Sequence, residues 1–206
     1  MRKLPKIPPL KLTRRREPFD HPEWIFELKH NGLRSVAYIS QGACQLVPRR
    51  YHALQVSGVS EALGKLPVRE AILDGELVRL DDDGGGIFNQ LMFRRGVPCF
   101  YAFDLMWLNG YDLRAMRLLE RKERLKKLIM RSNIPSLRYV DHVDGYGVDF
   151  FRIICERNLE GIVAKHRASP YSPSAKWIKI RNRSHTPNEH RHEPFEALMA
   201  PHAGEI

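Results

Sequence analysis

Alternating apolar and polar positions predict the first strand of the chain. In the stretch EWIFELK, the apolar residues Trp24, Phe26 and Leu28 occupy every second position. That two-residue period is typical of a strand with one buried face. Glu27 and Lys29 fall on the other side of this strand. The pattern therefore predicts that a carboxylate and an amine share one face of a sheet.

Further apolar runs predict more strands. SVAYI and CQLVP form a hairpin candidate that turns at SQGA, and PCFYAFDLMWL is an apolar, aromatic strand. A second hairpin candidate, EAILDGELVRLDDDGGGIF, has the acidic, glycine-rich DDDGGG as its turn. GIVAKHR and AKWIKIRN are two short strands separated by the turn SPYSPS.

Helical spacing appears in fewer places. Apolar residues recur at that spacing from Leu113 to Met130, which predicts an amphipathic helix that ends before Pro135. VDFFRIICERN predicts another helix, and YHALQVSGVSEALGKL is predicted to be partly helical. Mostly antiparallel strands with a few covering helices indicate an α+β fold.

The chain divides into three predicted regions. Residues 1–22 contain five prolines and the TRRRE run, so we expect an extended lead-in instead of a long helix. Residues 23–183 are expected to form the folded domain. Residues 184–206 form a polar tail rich in histidine, but no matching cysteine accompanies those histidines, which disfavours a zinc site.

Composition and charge narrow the class of protein. The 206 residues are 43% hydrophobic and 28% charged, and no apolar run approaches the roughly 20 residues that cross a bilayer. The net charge of +10 predicts attraction to polyanions, of which nucleic acid is the commonest. Three scattered cysteines and the lack of a signal-like apolar segment predict a cytoplasmic protein without a membrane partner.

Two strands carry charged pairs of opposite sign. Asp74 and Glu76 share one side of their strand, and Lys179 and Arg181 share one side of theirs. Each pair alone is most simply explained as solvated surface. Their occurrence together allows two acids and two bases to face one groove.

Six short motifs, in order along the chain, carry a resemblance to a known family. The likeness runs from about Trp24 to Asn182, and the ordered set resembles the nucleotidyltransferase domain of ATP-dependent DNA ligases. It is similar above all to the ligase domains of bacterial end-joining systems and to small ligase-like proteins made of this domain alone. The resemblance implies antiparallel sheets of ATP-grasp-like type. The motifs are KHNGLR (29–34), PRR (48–50), DGEL (74–77), YAFDL (101–105), EGIVAK (160–165) and KWIKIR (176–181).

The resemblance implies a lysine nucleophile. Lys29 would attack the α-phosphorus of ATP, displace pyrophosphate and hold AMP, which requires an uncharged amine. Neighbouring cations and partial burial favour that state. Lys165, Lys179 and Arg181 match basic positions around the α-phosphate, where they would stabilise developing charge. As an isolated feature, Lys29 would be read as an exposed lysine at the end of a strand.

The resemblance also implies a nucleotide pocket and a metal. Magnesium would neutralise the triphosphate, with Glu160 as the nearest protein group. The remaining matched positions have the following implied roles: Glu27 reads the adenine amino edge, Arg34 contacts ribose or phosphate, Arg49 meets nucleotide or DNA phosphate, Glu76 holds the ribose hydroxyl, Phe103 stacks on adenine, and Ile162 or Val163 closes the other face of the base.

Some positions depart from the family pattern. Asn31 stands where the family has aspartate, and asparagine keeps a carbonyl acceptor but loses the negative charge. Arg181 replaces a second lysine and is planar and forked. The residues after Asn182 are too few for the OB-fold domain that ligases normally carry, so we expect a separate partner to supply it or sealing to be impaired.

Sequence therefore predicts an ATP-dependent DNA ligase-type adenylyltransferase. Its partner would be nicked or broken duplex DNA. Binding would show no sequence preference, and salt would weaken it. One alternative is a nucleic-acid-binding module that kept the fold and lost turnover, which Asn31 would favour. The other is a nucleotidyltransferase that acts on RNA ends or caps.

Overall fold

Two β-sheets and three helices form the part of the chain that the structure describes. The computed structural model describes residues 4–49, 56, 58–80 and 97–185. The helices are α1 (Val59–Gly64), α2 (Leu118–Ser132) and α3 (Gly147–Glu156). The strands are β1 (Thr13–Arg15), β2 (Trp24–Leu28), β3 (Leu33–Ser40), β4 (Ala43–Pro48), β5 (Glu70–Leu80), β6 (Val97–Leu108), β7 (Tyr111–Asp112), β8 (Leu137–Tyr139), β9 (His142–Asp144), β10 (Gly161–His166) and β11 (Trp177–Arg181).

The first sheet has the strand order β1-β11-β10-β2-β9. β2 pairs antiparallel with β10 and β9, β10 pairs antiparallel with β11, and β1 adds to β11 in parallel. One face of this sheet packs against α3. That core contains Phe26, Leu28, Phe150, Ile154, Ile162, Ala164 and Ile180. Because strand side chains alternate, Glu27 and Lys29 project to the opposite face.

The second sheet has the order β4-β3-β5-β6-β7, and β8 pairs with β6 in parallel. α1 and α2 pack against it around a core that includes Leu46, Leu63, Leu73, Phe100 and Leu125. The pairing of β5 with β6 is irregular between Ile72 and Leu73 and again between Asp74 and Gly75.

A third apolar cluster joins the two sheets and includes the lead-in. Ile25 and Trp177 come from the first sheet and Val36, Ile72 and Met106 from the second, and Ile7 and Leu10 of the lead-in are buried with them. Tyr38 fixes the lead-in through both backbone groups of Ile7, at 2.9 and 3.1 Å. Residues 4–12 therefore form a strap across the junction of the sheets, which we call the N-terminal strap.

The predicted α+β fold with mostly antiparallel strands is confirmed. The hairpin SVAYI–CQLVP is β3 and β4, and GIVAKHR and AKWIKIRN are β10 and β11. The turn DDDGGG lies outside the described residues. No helix in the described ranges is both long and apolar enough to cross a membrane.

The predicted helix over 113–130 begins later than expected. α2 starts at Leu118, because β7 returns along β6 and the backbone N–H of Leu113 donates to the Met106 carbonyl at 2.9 Å. Arg117 keeps an extended conformation at the N-cap. The helix ends at Asn133, which is left-handed, and so stops before Pro135 as predicted.

Candidate active site

Lys29 directly follows β2 and lies in a partly buried ion pair. Its Nζ donates to Glu160 Oε2 at 2.7 Å, and its side chain is 18% exposed. Its backbone N–H donates to the Gly161 carbonyl at 2.9 Å, which fixes the end of β2 against the start of β10. Lys29 is therefore held in place by two adjacent residues of one motif.

Gly161 allows the close approach on which this pairing depends. Its φ is 139°, a backbone conformation that residues with a Cβ rarely adopt. A Cβ built there would collide with the carbonyl oxygen of Ile180 on β11. Glycine at position 161 thus lets three strands meet beside Lys29 and Glu160.

Cations surround this ion pair on the side of β11. Arg181 lies 3.7 Å from Glu160 Oε1, so one carboxylate links Lys29 and Arg181. The pKa of Lys179 is lowered by partial burial and by the charges of four neighbouring cations, namely Arg181, Arg14, Lys29 and Arg49. Such a group of positive charges is suited to bind phosphate.

Glu76 faces the same region from the second sheet. Burial raises its pKa to about 7, and the nearby carboxylates Glu160 and Asp74 also raise it, against the opposing effects of Lys29 and Arg34. Glu76 is paired with Arg34 in the register of β5 and β3. The two sheets thus bring Glu76 and the Lys29–Glu160 pair together, as the motif order implied.

A second, fully buried cluster lies around Glu27. Lys122 of α2 donates to Glu27 Oε1 at 2.6 Å and to the Val140 carbonyl at 2.8 Å, and Lys165 Nζ is 2.5 Å from Glu27 Oε2. Burial alone would raise the pKa of Glu27, but the two lysines outweigh it and hold this pKa below its usual range. Both carboxylate oxygens of Glu27 are therefore engaged within the protein.

The predicted place of Lys165 beside the α-phosphate stays a prediction, and Lys165 lies at a different position along the paired strands from Lys29. Lys165 is paired with Ile25, four residues from Lys29, and four residues of a strand span about 13 Å. Its ammonium lies 4.2 Å from the Phe103 ring centroid and 4.0 Å from that of Trp177. Burial lowers the pKa of Lys165 to about 8, with Lys122 acting in the same direction and Glu27 against it.

Arg34 lies between the second sheet and the N-terminal strap. Its Nε and Nη2 donate to the two oxygens of Asp74 at 3.1 and 2.7 Å, and its Nη1 donates to the Leu10 carbonyl at 2.7 Å. The Tyr171 hydroxyl donates to Asp74 at 2.7 Å. Arg34 therefore clamps the N-terminal strap to the second sheet through hydrogen bonds to Leu10 and Asp74.

Ile162, which was predicted with Val163 as the residue closing one face of the base, lies on the side of the sheet away from Lys29. It is fully buried in the core under α3, with Phe26 and Ile180, on the face opposite Lys29. Strand alternation puts its neighbour Val163 on the face of Glu27, to which Val163 is directly paired. Phe103 is partly buried, and its ring borders the Lys165 pocket from the second sheet.

Sequence reasoning missed Lys122, although its spacing from apolar residues of α2 indicates a buried position. Lys122 lies four residues after Leu118 and three before Leu125, on the stripe of α2 that is buried. A lysine on such a stripe requires a buried acidic partner. The buried Asp104–Arg121 pair, with two hydrogen bonds of 2.8 Å, and Tyr171 were missed as well.

Comparison with known proteins agrees with this arrangement. A profile described as ATP dependent DNA ligase domain matches residues 11–181. The chain belongs to the ATP-dependent DNA ligase domain family. The resemblance carried by the six motifs is thus confirmed, and the domain with the Lys29 site is a ligase adenylation domain by family.

Several ligase relatives are similar over most of this chain. The multifunctional non-homologous end joining protein LigD of Pseudomonas aeruginosa is 33% identical over 168 residues, 77% of this chain and 20% of that protein. The SPbeta prophage-derived DNA ligase-like protein LigB of Bacillus subtilis is 30% identical over 192 residues, 87% of this chain and 69% of that protein. The chain thus spans about a fifth of the length of that LigD protein.

Solved ligase structures match the fold. The ligase domain of M. tuberculosis LigD has a TM-score of 0.70 and 30% identity, with 84% of this chain and 59% of that chain covered. A mycobacterial DNA ligase D complexed with ATP and MES has a TM-score of 0.67 and 28% identity, with 84% and 60% covered. The described sheets and helices therefore form a ligase adenylation domain.

Proposed function

We propose that this chain is an ATP-dependent lysine adenylyltransferase of the DNA ligase type. Lys29 Nζ attacks the α-phosphorus of ATP, the bond from that phosphorus to the bridging β-phosphate oxygen breaks, and pyrophosphate leaves. AMP is then passed to a DNA 5′-phosphate, and a 3′-hydroxyl displaces it to seal the strand. The observation that carries the proposal is the Lys29–Glu160 pair within a group of cations.

The residues around Lys29 support distinct roles in this reaction. Glu160, 2.7 Å from Nζ, orients the amine and is the nearest acceptor for the proton that must leave before attack. Lys179 and Arg181 would stabilise negative charge on the phosphate oxygens and on departing pyrophosphate. Glu76, on the opposite side, would accept a hydrogen bond from a ribose hydroxyl when its carboxylate is ionised.

The base would occupy the space bordered by Phe103 and Val163. Lys165 would donate to a ring nitrogen of the base, because its ammonium is buried against Phe103 and Trp177 and lies far from Lys29. Glu27 would act mainly by holding Lys165 in place, since both Glu27 oxygens are in ion pairs. Arg34 would support the pocket through Asp74 and not by direct contact.

Magnesium fits this site as an ion bound largely by substrate phosphates. Among the described residues no group of three potential metal ligands occurs, so the protein offers no complete cage. Mg²⁺ is commonly bound by one or two carboxylates together with phosphate oxygens. Glu160 would hold it, and the ion would supply charge neutralisation of the triphosphate.

Incubation with α-labelled ATP and magnesium tests the proposal. We expect covalent label on the chain, complete loss of that label in Lys29→Ala, and retention in the matched control Lys127→Ala, which alters an exposed lysine of α2. Label that persists in Lys29→Ala would refute the assignment of the nucleophile. Transfer of the label to RNA instead of DNA 5′-phosphates would favour the RNA-end alternative.

Asn31 gives one reason to consider a second function, a DNA-binding module without turnover. That module would bind nicked duplex but take up no label at any magnesium concentration.

A chase of labelled protein with nicked duplex separates AMP transfer from strand joining. If the missing carboxylate limits joining, Asn31→Asp will seal pre-adenylated nicks faster than the natural chain, and equal rates would reject that explanation. A separate OB-fold partner and a role in DNA repair are part of the same proposal.

A further inference from the structure

The edge strand β1 places an unassigned arginine beside the proposed phosphate site. β1 pairs in parallel with β11, and Arg14 lies directly opposite Lys179 in the register. Paired residues of adjacent strands project to the same face of a sheet. Arg14 is also one of the cations that lower the pKa of Lys179. Arg14 is therefore a direct lateral neighbour of Lys179, which we propose to stabilise the phosphates of ATP.

The backbone that carries Arg14 is fixed. The Thr13 hydroxyl donates to the Trp177 carbonyl at 3.2 Å, and the N-terminal strap just before it is buried between the sheets at Ile7 and Leu10. A cation on such an anchored strand is preorganised, so binding an anion costs little further ordering of the chain. Arg14 differs in this respect from an arginine in an open loop.

The cations of this edge have few carboxylate partners in the part of the chain that the structure describes. Within the described residues, no ion pair joins Arg14, Arg49 or Lys179 to a carboxylate. Arg181 has only a 3.7 Å contact and a side chain that is 55% exposed. These four residues, Arg14, Arg49, Lys179 and Arg181, form what we call the cationic edge. Its excess of positive charge is complementary to a polyanion.

The place of Arg14 at the outer edge of the first sheet suits a long polyanion that continues away from Lys29. β1 lies three strands from β2, which carries Lys29 at its end, and three strand spacings amount to about 14 Å. The proposed reaction puts the α-phosphorus of ATP at Lys29, and β1 lies beyond β11 and β10 on the side away from that residue. A DNA strand continues beyond that point with a charged phosphate at every nucleotide.

We propose that Arg14 extends the cationic edge and binds a backbone phosphate of the DNA strand that enters the Lys29 site. This inference rests on the proposed function, because it takes DNA as the substrate. Arg15 offers a matched contrast. It is adjacent and equally charged, but it projects to the opposite face, where its guanidinium lies 4.3 Å from the Phe19 ring centroid.

A DNA-binding titration tests the role of Arg14. The full chain is titrated against a fluorescent nicked duplex, without ATP, at salt concentrations between about 50 and 200 mM. For Arg14→Ala we expect weaker binding, with the slope of log affinity against log salt reduced in magnitude by about 0.9, the value for one lost phosphate contact. Arg15→Ala should keep the natural slope. Arg14→Lys, which retains the charge, should restore it.

The outcomes separate this inference from the proposed function. Equal slopes for Arg14→Ala and Arg15→Ala would overturn the role of Arg14. A loss of lysyl-AMP label in Arg14→Ala, with the DNA slope unchanged, would assign Arg14 to the triphosphate and also overturn it. If the natural chain forms no label at all, the adenylyltransferase proposal fails, but the DNA slopes still decide whether Arg14 binds backbone phosphate.

Discussion

Glu76 is a carboxylic acid that titrates near neutral pH. Its pKa is raised to about 7, mainly by burial, whereas an unfolded glutamate titrates near 4.5. Between these two values the folded state binds more protons than the unfolded state, so stability falls as pH rises. The same titration converts Glu76 from a protonated acid into a carboxylate that can accept two ribose hydrogen bonds.

The titration of Glu76 predicts a pH-dependent difference between two proteins. Relative to Glu76→Gln, the free energy of unfolding of the natural chain should decrease by about 2 kcal/mol as pH rises from 5 to 8, because only the natural chain must ionise a buried group. Urea unfolding of both proteins across that range measures it. A difference that stays constant with pH would contradict the raised pKa.

The chemistry of single residues could be predicted from sequence only in part. The Lys29 motif indicated an amine on the face of Glu27, and strand alternation was enough to place both correctly. The same alternation distinguishes Val163, which is paired with Glu27 on one face, from Ile162, which projects to the other face. For Lys165 alternation gave the right face, but its distance from Lys29 depends on the β2–β10 register, which the sequence does not specify.

At the scale of elements, α2 does more than cover a sheet. It carries Lys122 into the interior, where that residue and Lys165 neutralise Glu27. Removal of one partner from a buried ion pair leaves an uncompensated charge, which is costly. The ion pair between Lys122 and Glu27 therefore links the orientation of α2 to the buried cluster around Glu27.

Replacement of Lys122 should expose this link. In Lys122→Met we expect the free energy of unfolding to fall by about 3 kcal/mol, and the KM for ATP in lysyl-AMP formation to rise more than kcat falls. Lys126→Met is the control, since Lys126 lies one turn further along α2 in an exposed pair with Asp141 and should cost less than about 1 kcal/mol. Equal effects of the two substitutions would show that Lys122 has no special role.

Strand patterns were more informative than helix patterns in this chain. β2 has a short alternating sequence, and β10 and β11 are short runs separated by clear turn residues, so their predictions were confirmed. β1 could not be found in the same way, because TRRR is entirely exposed and polar and becomes a strand only by pairing with β11. The late start of α2 likewise depends on the return of β7 along β6, a contact that local spacing does not reveal.

At the scale of the molecule, the N-terminal strap contributes part of the core between the sheets. Ile7 and Leu10 are buried there, and the Leu10 carbonyl accepts the hydrogen bond from Arg34. The strap therefore joins the first sheet, the second sheet and the clamp of Arg34 with Asp74. An extended segment that looked like a peripheral lead-in is an integral part of the fold.

Truncation of the strap's buried side chain should weaken the whole domain. In Leu10→Ala the free energy of unfolding should fall by about 3 kcal/mol, because a buried leucine leaves a cavity. The neighbouring control Lys11→Ala, at an exposed position, should change it by less than about 0.5 kcal/mol. Chemical denaturation of both variants measures the difference, and a Leu10→Ala protein as stable as the control would mean that the strap is dispensable.

The pairing of β1 with β11 also determines when the domain can complete its folding during synthesis. These strands are separated by more than 160 positions, and β1 has no other strand partner among the described residues. Contacts so distant along the polypeptide close slowly and late. A ribosome must therefore release nearly the entire domain before Arg14 and Lys179 come together, so that a nascent ligase domain lacks its complete anion-binding surface until the final strand has emerged.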